Sequence, residues 1–422
     1  MNCVKGARAW LALLFCLAPG VLAAQGPPAP PSNDDCQMCH AEASTTRANG
    51  QPVVVDPAKW AASIHGQLDL KCVDCHADAT EIPHADALAR VDCSGCHSDA
   101  VTQYGASVHA KQRAGGGAQL AATCVSCHGV HDILPSSDPE SRTHHLKLPV
   151  TCGTCHGNDA TIQLAHLHGG NIGEQFADSI HGRALLKGGL AVAPNCATCH
   201  GAHDVRSHQD PQAKVARGNI PGMCGTCHEG VLRTFSRGKH GEMVQADPTK
   251  APVCIDCHSA HTIQRTEQAA WKVEVINECG TCHAESIVTY RDTFHGKVTE
   301  LGFARVATCA DCHGAHEVLP ASNPASPVHP NNRVQMCRRC HEGANANFAK
   351  YDPHADRHDI TDGRLLYFTG KFMELLLVGV FGFFGLHSGL WLLRSLQVVR
   401  DRRARARLAA RTPERHDADE RR

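Results

Sequence analysis

Eleven copies of one pentapeptide, Cys-x-x-Cys-His, decide what this chain of 422 residues can become. They are Cys36, Cys39 and His40; Cys72, Cys75 and His76; Cys93, Cys96 and His97; Cys124, Cys127 and His128; Cys152, Cys155 and His156; Cys196, Cys199 and His200; Cys224, Cys227 and His228; Cys254, Cys257 and His258; Cys279, Cys282 and His283; Cys309, Cys312 and His313; and Cys337, Cys340 and His341. Together they use 22 of the 24 cysteines, leaving only Cys3 and Cys16 near the N-terminus. Two thiols closed by an adjacent histidine form the attachment signature of a c-type haem: the thiols bond the vinyl groups and the histidine becomes the proximal iron ligand. A zinc ion needs four ligands and gives no reason for a histidine after every second cysteine.

The motifs fall into two alternating classes. In the first, the proximal histidine is followed three residues later by another, giving His131, His203, His261 and His316; in a shortened early unit the equivalent is displaced to His84. In the second class, often Cys-Gly-Thr-Cys-His, a histidine follows about twelve residues on, at His109, His240, His295 and His354. His65 and His181 lie 25 residues beyond His40 and His156, as though both stretches carry one insertion. His65, His181, His240 and His295 share a His-Gly setting, from which His84 and His109 depart. Six second-class and five first-class histidines make eleven, one distal imidazole for each iron. Met38, Met223, Met243 and Met336 recur at no fixed offset.

Irons closed by two imidazoles favour low potentials and leave no position for a substrate, so the array reads as a conductor rather than a catalyst. A first-class histidine is expected one helical turn beyond its proximal ligand. It then cannot reach the opposite face of the same porphyrin and must bind a neighbouring one. Of the nine histidines outside this count, His166 and His168 lie in the insertion and are alternatives to His181. His144 and His329 each precede a motif by eight residues, and His145, His208, His358, His387 and His416 complete the set.

Residues 36–358 leave too little protein per haem for a separate apolar core, so stability must come from packing on porphyrins and from ligation. Short α-helices after many of the motifs, irregular loops and almost no β-structure are expected, with regular structure a minority. Around this domain, residues 1–24 read as a secretory signal, with Lys5, Arg8, an apolar run and Val21-Leu22-Ala23. Residues 25–35 read as a stiff Pro-rich linker. Residues 359–394 read as one transmembrane anchor centred on Leu375 to Leu393, with Lys371 and Glu374 at the outer interface. Residues 395–422 read as a cytoplasmic tail: from Arg394 onward there are ten arginines against five acids. Both flanks put the haem domain on the periplasmic side. A net charge of −1 gives no case for nucleic acid. Gly385 and Gly389 form a Gly-x-x-x-Gly spacing that admits a second membrane helix, and His387 is an ionisable group inside the span.

The alternating Cys-x-x-Cys-His-x-x-His and Cys-Gly-Thr-Cys-His units resemble the multihaem c-type cytochromes of respiratory electron transfer. The ending Tyr351-Asp-Pro-His354-Ala-Asp356, followed by a helix with His387-Ser-Gly-Leu-Trp391, is similar to membrane-anchored members that work beside a polytopic b-type cytochrome. The resemblance implies electron traffic between a quinone pool, or a b-type cytochrome or other membrane subunit, and periplasmic or outer-membrane cytochromes. The leading reading has the membrane-proximal motif at Cys337 receive the electrons, with the contrary direction, into the quinone pool, equally allowed. His387 is open to a shared haem b, a quinol headgroup or a helix-packing hydrogen bond. Enzymes of such families mark their active haem with Cys-x-x-Cys-Lys or a missing distal ligand, and neither stands here. The alternative is a catalytic multihaem oxidoreductase acting on a small nitrogen or sulfur compound.

Overall fold

The structure is a computed structural model that describes residues 29–410 apart from 48, 116–119 and 362. The expected signal segment, Cys3, Cys16, the start of the linker and the end of the Arg-rich tail lie outside the described residues. Among those residues there are helices, turns and irregular chain but no strand, only one isolated bridge between Thr46 and Pro52. The first helix, Asn33–His40, begins inside the stretch expected to be an unfolded linker, because the Ser32 hydroxyl and the Asp35 carboxylate cap its N-terminus reciprocally.

Among the described residues between Cys36 and His358 no helix exceeds the twelve residues of Ala269–Gly280. The hydrophobic core is correspondingly slight. Among the described residues twelve apolar side chains are buried, five of them alanines, and only Leu185 and Val253 are both larger than alanine and less than 2% exposed. Ser63, Ser107 and Ser326 are buried as deeply. The best-shielded positions thus hold hydroxyls that fix backbone, as expected of a chain not organised around its own apolar side chains.

The chain divides into two compact units, residues 1–214 and 215–422. The second ends in Arg364–Ala409, a helix of 46 residues, long and apolar enough to cross a membrane, with an exposed apolar surface. At about 1.5 Å per residue it reaches about 69 Å, twice a bilayer's hydrocarbon thickness. It continues past Leu393 into the Arg-rich stretch without a break, since arginine is a good helix former. Lys371 and Glu374 pair on its surface at 2.8 Å.

Candidate functional site

The two motif classes differ in local structure as well as in spacing. In the first class the motif is itself a helix of four or five residues, as in Cys124–His128, Cys196–His200, Cys254–His258 and Cys309–His313. The residue before its second cysteine caps it: Asp74, Ser126, Thr198, Asp256 and Asp311 accept the backbone N–H of Lys71, Thr123, Asn195, Val253 and Thr308, at 2.6 to 3.2 Å. Arg217 adds a bidentate bond to Asp256 (3.1 and 2.7 Å) and reaches the carbonyl of Ala251 at 2.8 Å, bracing the segment that leads into Cys254.

Those helices stop at the proximal histidine. The next residue has positive φ at Gly129 (88°), Gly201 (87°), Ser259 (60°) and Gly314 (83°), each with extended ψ, a region almost confined to glycine. His131, His203, His261 and His316 therefore lie beyond a reversal of the chain, which corrects the expectation that they sit one helical turn on. Ser259 alone pays a steric penalty. Ser259→Gly is expected to raise unfolding stability of the holoprotein by about 1 kcal/mol, and Gly201→Ala to lower it by about 1–3 kcal/mol. Chemical denaturation followed by circular dichroism checks both, and a destabilised Ser259→Gly would contradict the strain.

In the second class the proximal histidine precedes a helix, as in Ser98–Ala106, Glu229–Arg237 and Ala284–Asp292, and one residue joins that helix to the next, which carries the distal histidine. The joint is Ser107 before His109 and Thr293 before His295; Ser63 and Ser179 do the same before His65 and His181. All four are buried and accept a backbone N–H at 3.0 to 3.1 Å from the residue after the histidine. Sequence reasoning missed these residues, although a Ser or Thr two positions before the histidine was visible. The joint also explains the His-Gly setting. A Cβ on Gly66, Gly182, Gly241 or Gly296 would overlap the carbonyl oxygen of Trp60, Phe176, Phe235 or Tyr290 in the preceding helix.

The joints at Ser63 and Ser107, and the equivalent one at Gly238, are also tied to a first-class loop by the backbone. Ile64 N–H donates to Ile133 O, Val108 N–H to Val205 O and Lys239 N–H to Val318 O, all at 2.8 Å. In every case the acceptor lies two residues past a first-class histidine.

Among the described residues at least nine imidazole pairs result, each made of one proximal and one expected distal histidine. Ring centroids lie 6.1 Å apart for His65 and His97, 6.3 Å for His109 and His156, 6.3 Å for His240 and His283, and 6.2 Å for His295 and His341. They are 6.3 Å for His76 and His131, 6.0 Å for His128 and His203, and 6.1 Å for His258 and His316. The early pair, His40 and His84, is at 5.9 Å, and the last, His313 and His354, at 6.1 Å. His65, His109, His240 and His295 face the proximal histidine of the next second-class motif, and His131, His203 and His316 face that of the preceding first-class motif. Two pairs cross the classes: His84 faces the second-class His40, and His354 the first-class His313. No pair among these nine joins a motif to its own following histidine.

The spacing has a simple meaning. With about 2.0–2.1 Å from metal to imidazole nitrogen and about 1.1 Å from nitrogen to ring centre, two imidazoles on opposite sides of one metal have centroids about 6.2–6.4 Å apart. Nδ1 of His40 lies 2.9 Å from Val53 O and Nδ1 of His84 lies 2.8 Å from Ala85 O. With Nδ1–H donating to those carbonyls, Nε2 of each ring is left as the metal-binding nitrogen. Burial pushes the pKa of His65, His109, His128, His131, His240, His258, His295 and His313 below the ordinary histidine range. The facing imidazole pushes it further. Both effects keep the rings neutral, the form that binds metal, at pH values where an exposed histidine is charged.

His181, His200, His228 and His261 are two proximal and two expected distal residues, and each makes further contacts. His166 and His168 are exposed. His145 is structural: its Nε2 donates to Ala193 O at 2.9 Å and its Nδ1 accepts from Asn195 Nδ2 at 3.0 Å. His144 and His329 share one role, accepting from the backbone N–H two residues on at 3.3 Å.

The 22 cysteines of the motifs are all free of disulfides. In the first unit Cys36 meets Cys72, Cys93 meets Cys124, and Cys152 meets Cys196, while Cys75 neighbours Cys96 and Cys127 neighbours Cys152. In the second, Cys224 meets Cys254 and Cys279 meets Cys309, while Cys257 neighbours Cys279 and Cys312 neighbours Cys337. Consecutive motifs thus form an unbroken file of six in one unit and five in the other. Among the described residues no three or more His, Cys, Asp or Glu converge as they would on a bare ion. Facing imidazoles with a thiol pair beside them fit a planar, covalently held porphyrin and do not fit a tetrahedral site.

Residues 64–157, less than half of the chain, match the family model described as cytochrome c3. No curated protein and no solved structure matches. The match supports a multihaem c-type cytochrome with an electron-transfer role.

Proposed function

We propose that this protein is a membrane-anchored electron-transfer subunit carrying about eleven covalent haems c, each closed by two imidazoles. The observation that carries the reading is the set of nine proximal–distal histidine pairs held one metal's width apart. The haems supply reversible one-electron chemistry. The chain's own contribution is to attach them at consecutive motifs, shield them and hold both imidazoles. Within each unit the facing partners tie one motif to another, which keeps those redox centres close.

The long apolar helix is compatible with a single-pass anchor. The signal segment and the Arg-rich tail support a periplasmic haem domain with a cytoplasmic C-terminus. A quinone pool or a b-type cytochrome is then the natural partner on the membrane side, with periplasmic or outer-membrane cytochromes on the other. The glycine spacing around His387 supports a neighbouring membrane helix, and a shared haem b or a quinol is a use for that imidazole.

Membrane fractions containing the protein and its co-purifying subunits, mixed with a quinol analogue in a stopped-flow instrument, are expected to show haem reduction. No reduction with the partner present would remove the quinone link while leaving the haem array standing.

A further inference from the structure

Ten of the eleven expected distal histidines are half-buried, and the eleventh, His354, is exposed. His65, His109, His181 and His295 sit on helices capped by a buried hydroxyl, and His131, His203, His261 and His316 lie behind a chain reversal. His240 lies on the helix that follows Gly238, and His84, on irregular chain, is half-buried with its Nδ1 2.8 Å from the carbonyl of Ala85. His354 lies on an irregular segment between the short helix Phe348–Lys350 and the anchor helix Arg364–Ala409. It nevertheless faces His313 at 6.1 Å.

Its position depends on one neighbouring helix, Ala284–Asp292. The Nδ1 of His354 lies 3.1 Å from Thr289 Oγ1, whose own proton is shared by the carbonyls of Ser286 at 3.1 Å and Glu285 at 3.3 Å. Thr289 therefore accepts Nδ1–H and turns Nε2 toward His313. Three residues later Arg357 Nε meets Asp292 Oδ2 at 3.2 Å, and the same Asp292 also receives Lys297. Arg357 packs within 4 Å of where a side chain on Gly370 of the anchor helix would begin. These contacts are solvent-exposed, and exposed pairs hold weakly.

We propose that His354 is the one releasable distal imidazole of the array, with Thr289 and Asp292 as the positioning residues that keep it in place. The position opposite His313 is then where a small neutral haem ligand of the carbon monoxide type gains access. The inference rests on reading the facing pairs as ligand pairs. The exchange balances simply: the imidazole leaves with its lone pair, the incoming molecule donates its own, and no electron or proton changes hands.

The test uses full-length holoprotein in detergent, reduced with dithionite and titrated with carbon monoxide, with haem content measured as pyridine haemochrome. Wild type is expected to take up about one carbon monoxide per chain, slowly, while His354→Ala takes up the same single equivalent at once, because the site emptied is the site that already opened. Thr289→Val is expected to speed uptake by roughly tenfold, and Thr289→Ser to restore the wild-type rate, the size usual for a residue supporting a metal ligand. No uptake by haem-loaded wild type would overturn the proposal. So would a second equivalent in His354→Ala, or Thr289→Val at the wild-type rate. Absence of haem from the purified protein would instead overturn the reading beneath it.

Discussion

Made without covalent haem attachment, the chain from Cys36 to His358 is expected not to fold. Ordering a backbone costs about 1–2 kcal/mol per residue, and that cost is met elsewhere by burying apolar side chains. Here twelve apolar residues are buried among the described residues, and five of them are alanine. The remaining order consists of caps, chain reversals and imidazoles facing across a gap, none of which brings much apolar surface together. The porphyrins must fill that role, as metals do for small domains that unfold without them. Expression in cells lacking the attachment machinery should yield protein without a cooperative thermal transition and open to protease throughout residues 36–358, while the holoprotein resists. A cooperative transition in the haem-free chain would contradict this account. So would its cysteines forming a defined set of disulfides.

The second large effect is expected from His203→Met. His203 is half-buried behind Gly201 and faces His128 at 6.0 Å with the rings 20° from parallel. A thioether in place of an imidazole raises the potential of one centre, by on the order of 100 mV, and leaves the others near their starting values. Potentiometric titration followed optically should show one haem of the array reduced early. His208→Met, at an exposed residue of the same loop, should leave the titration unchanged. If His203→Met also left it unchanged, His203 would not be the ligand facing His128.

The c-type haem signature was legible in the sequence because covalent attachment is local: two thiols and a histidine must be adjacent in the chain, so each short motif announces itself. The spacing of the expected distal histidines was legible as a rhythm, but which rings face each other was not. His65 faces a partner in the following motif pair, His131 one in a preceding motif, and His354 crosses from the second class to face the first-class His313. Which imidazole meets which depends on where backbone bonds such as Val108 to Val205 dock the loops, and nothing local encodes that choice. The expectation of a helical turn between His128 and His131 failed because Gly129 takes positive φ, which a spacing cannot reveal. The buried Ser63, Ser107, Ser179 and Thr293 were overlooked because they carry no redox chemistry. Their work is to bend the chain so that a histidine arrives at the right place. The long apolar helix was plain from its apolar run, while its continuation to Ala409 follows from helix-forming arginines that composition alone assigned to a tail.

Everything proposed for this protein rests on irons held between two imidazoles. Near-infrared magnetic circular dichroism of the oxidised holoprotein reads axial ligation directly, and normalised to haem content it counts each ligand type. The expected spectrum is that of low-spin bis-imidazole iron, with no imidazole–thioether component. A spectrum dominated by high-spin or thioether-ligated iron, or one with no haem signal, would contradict the account.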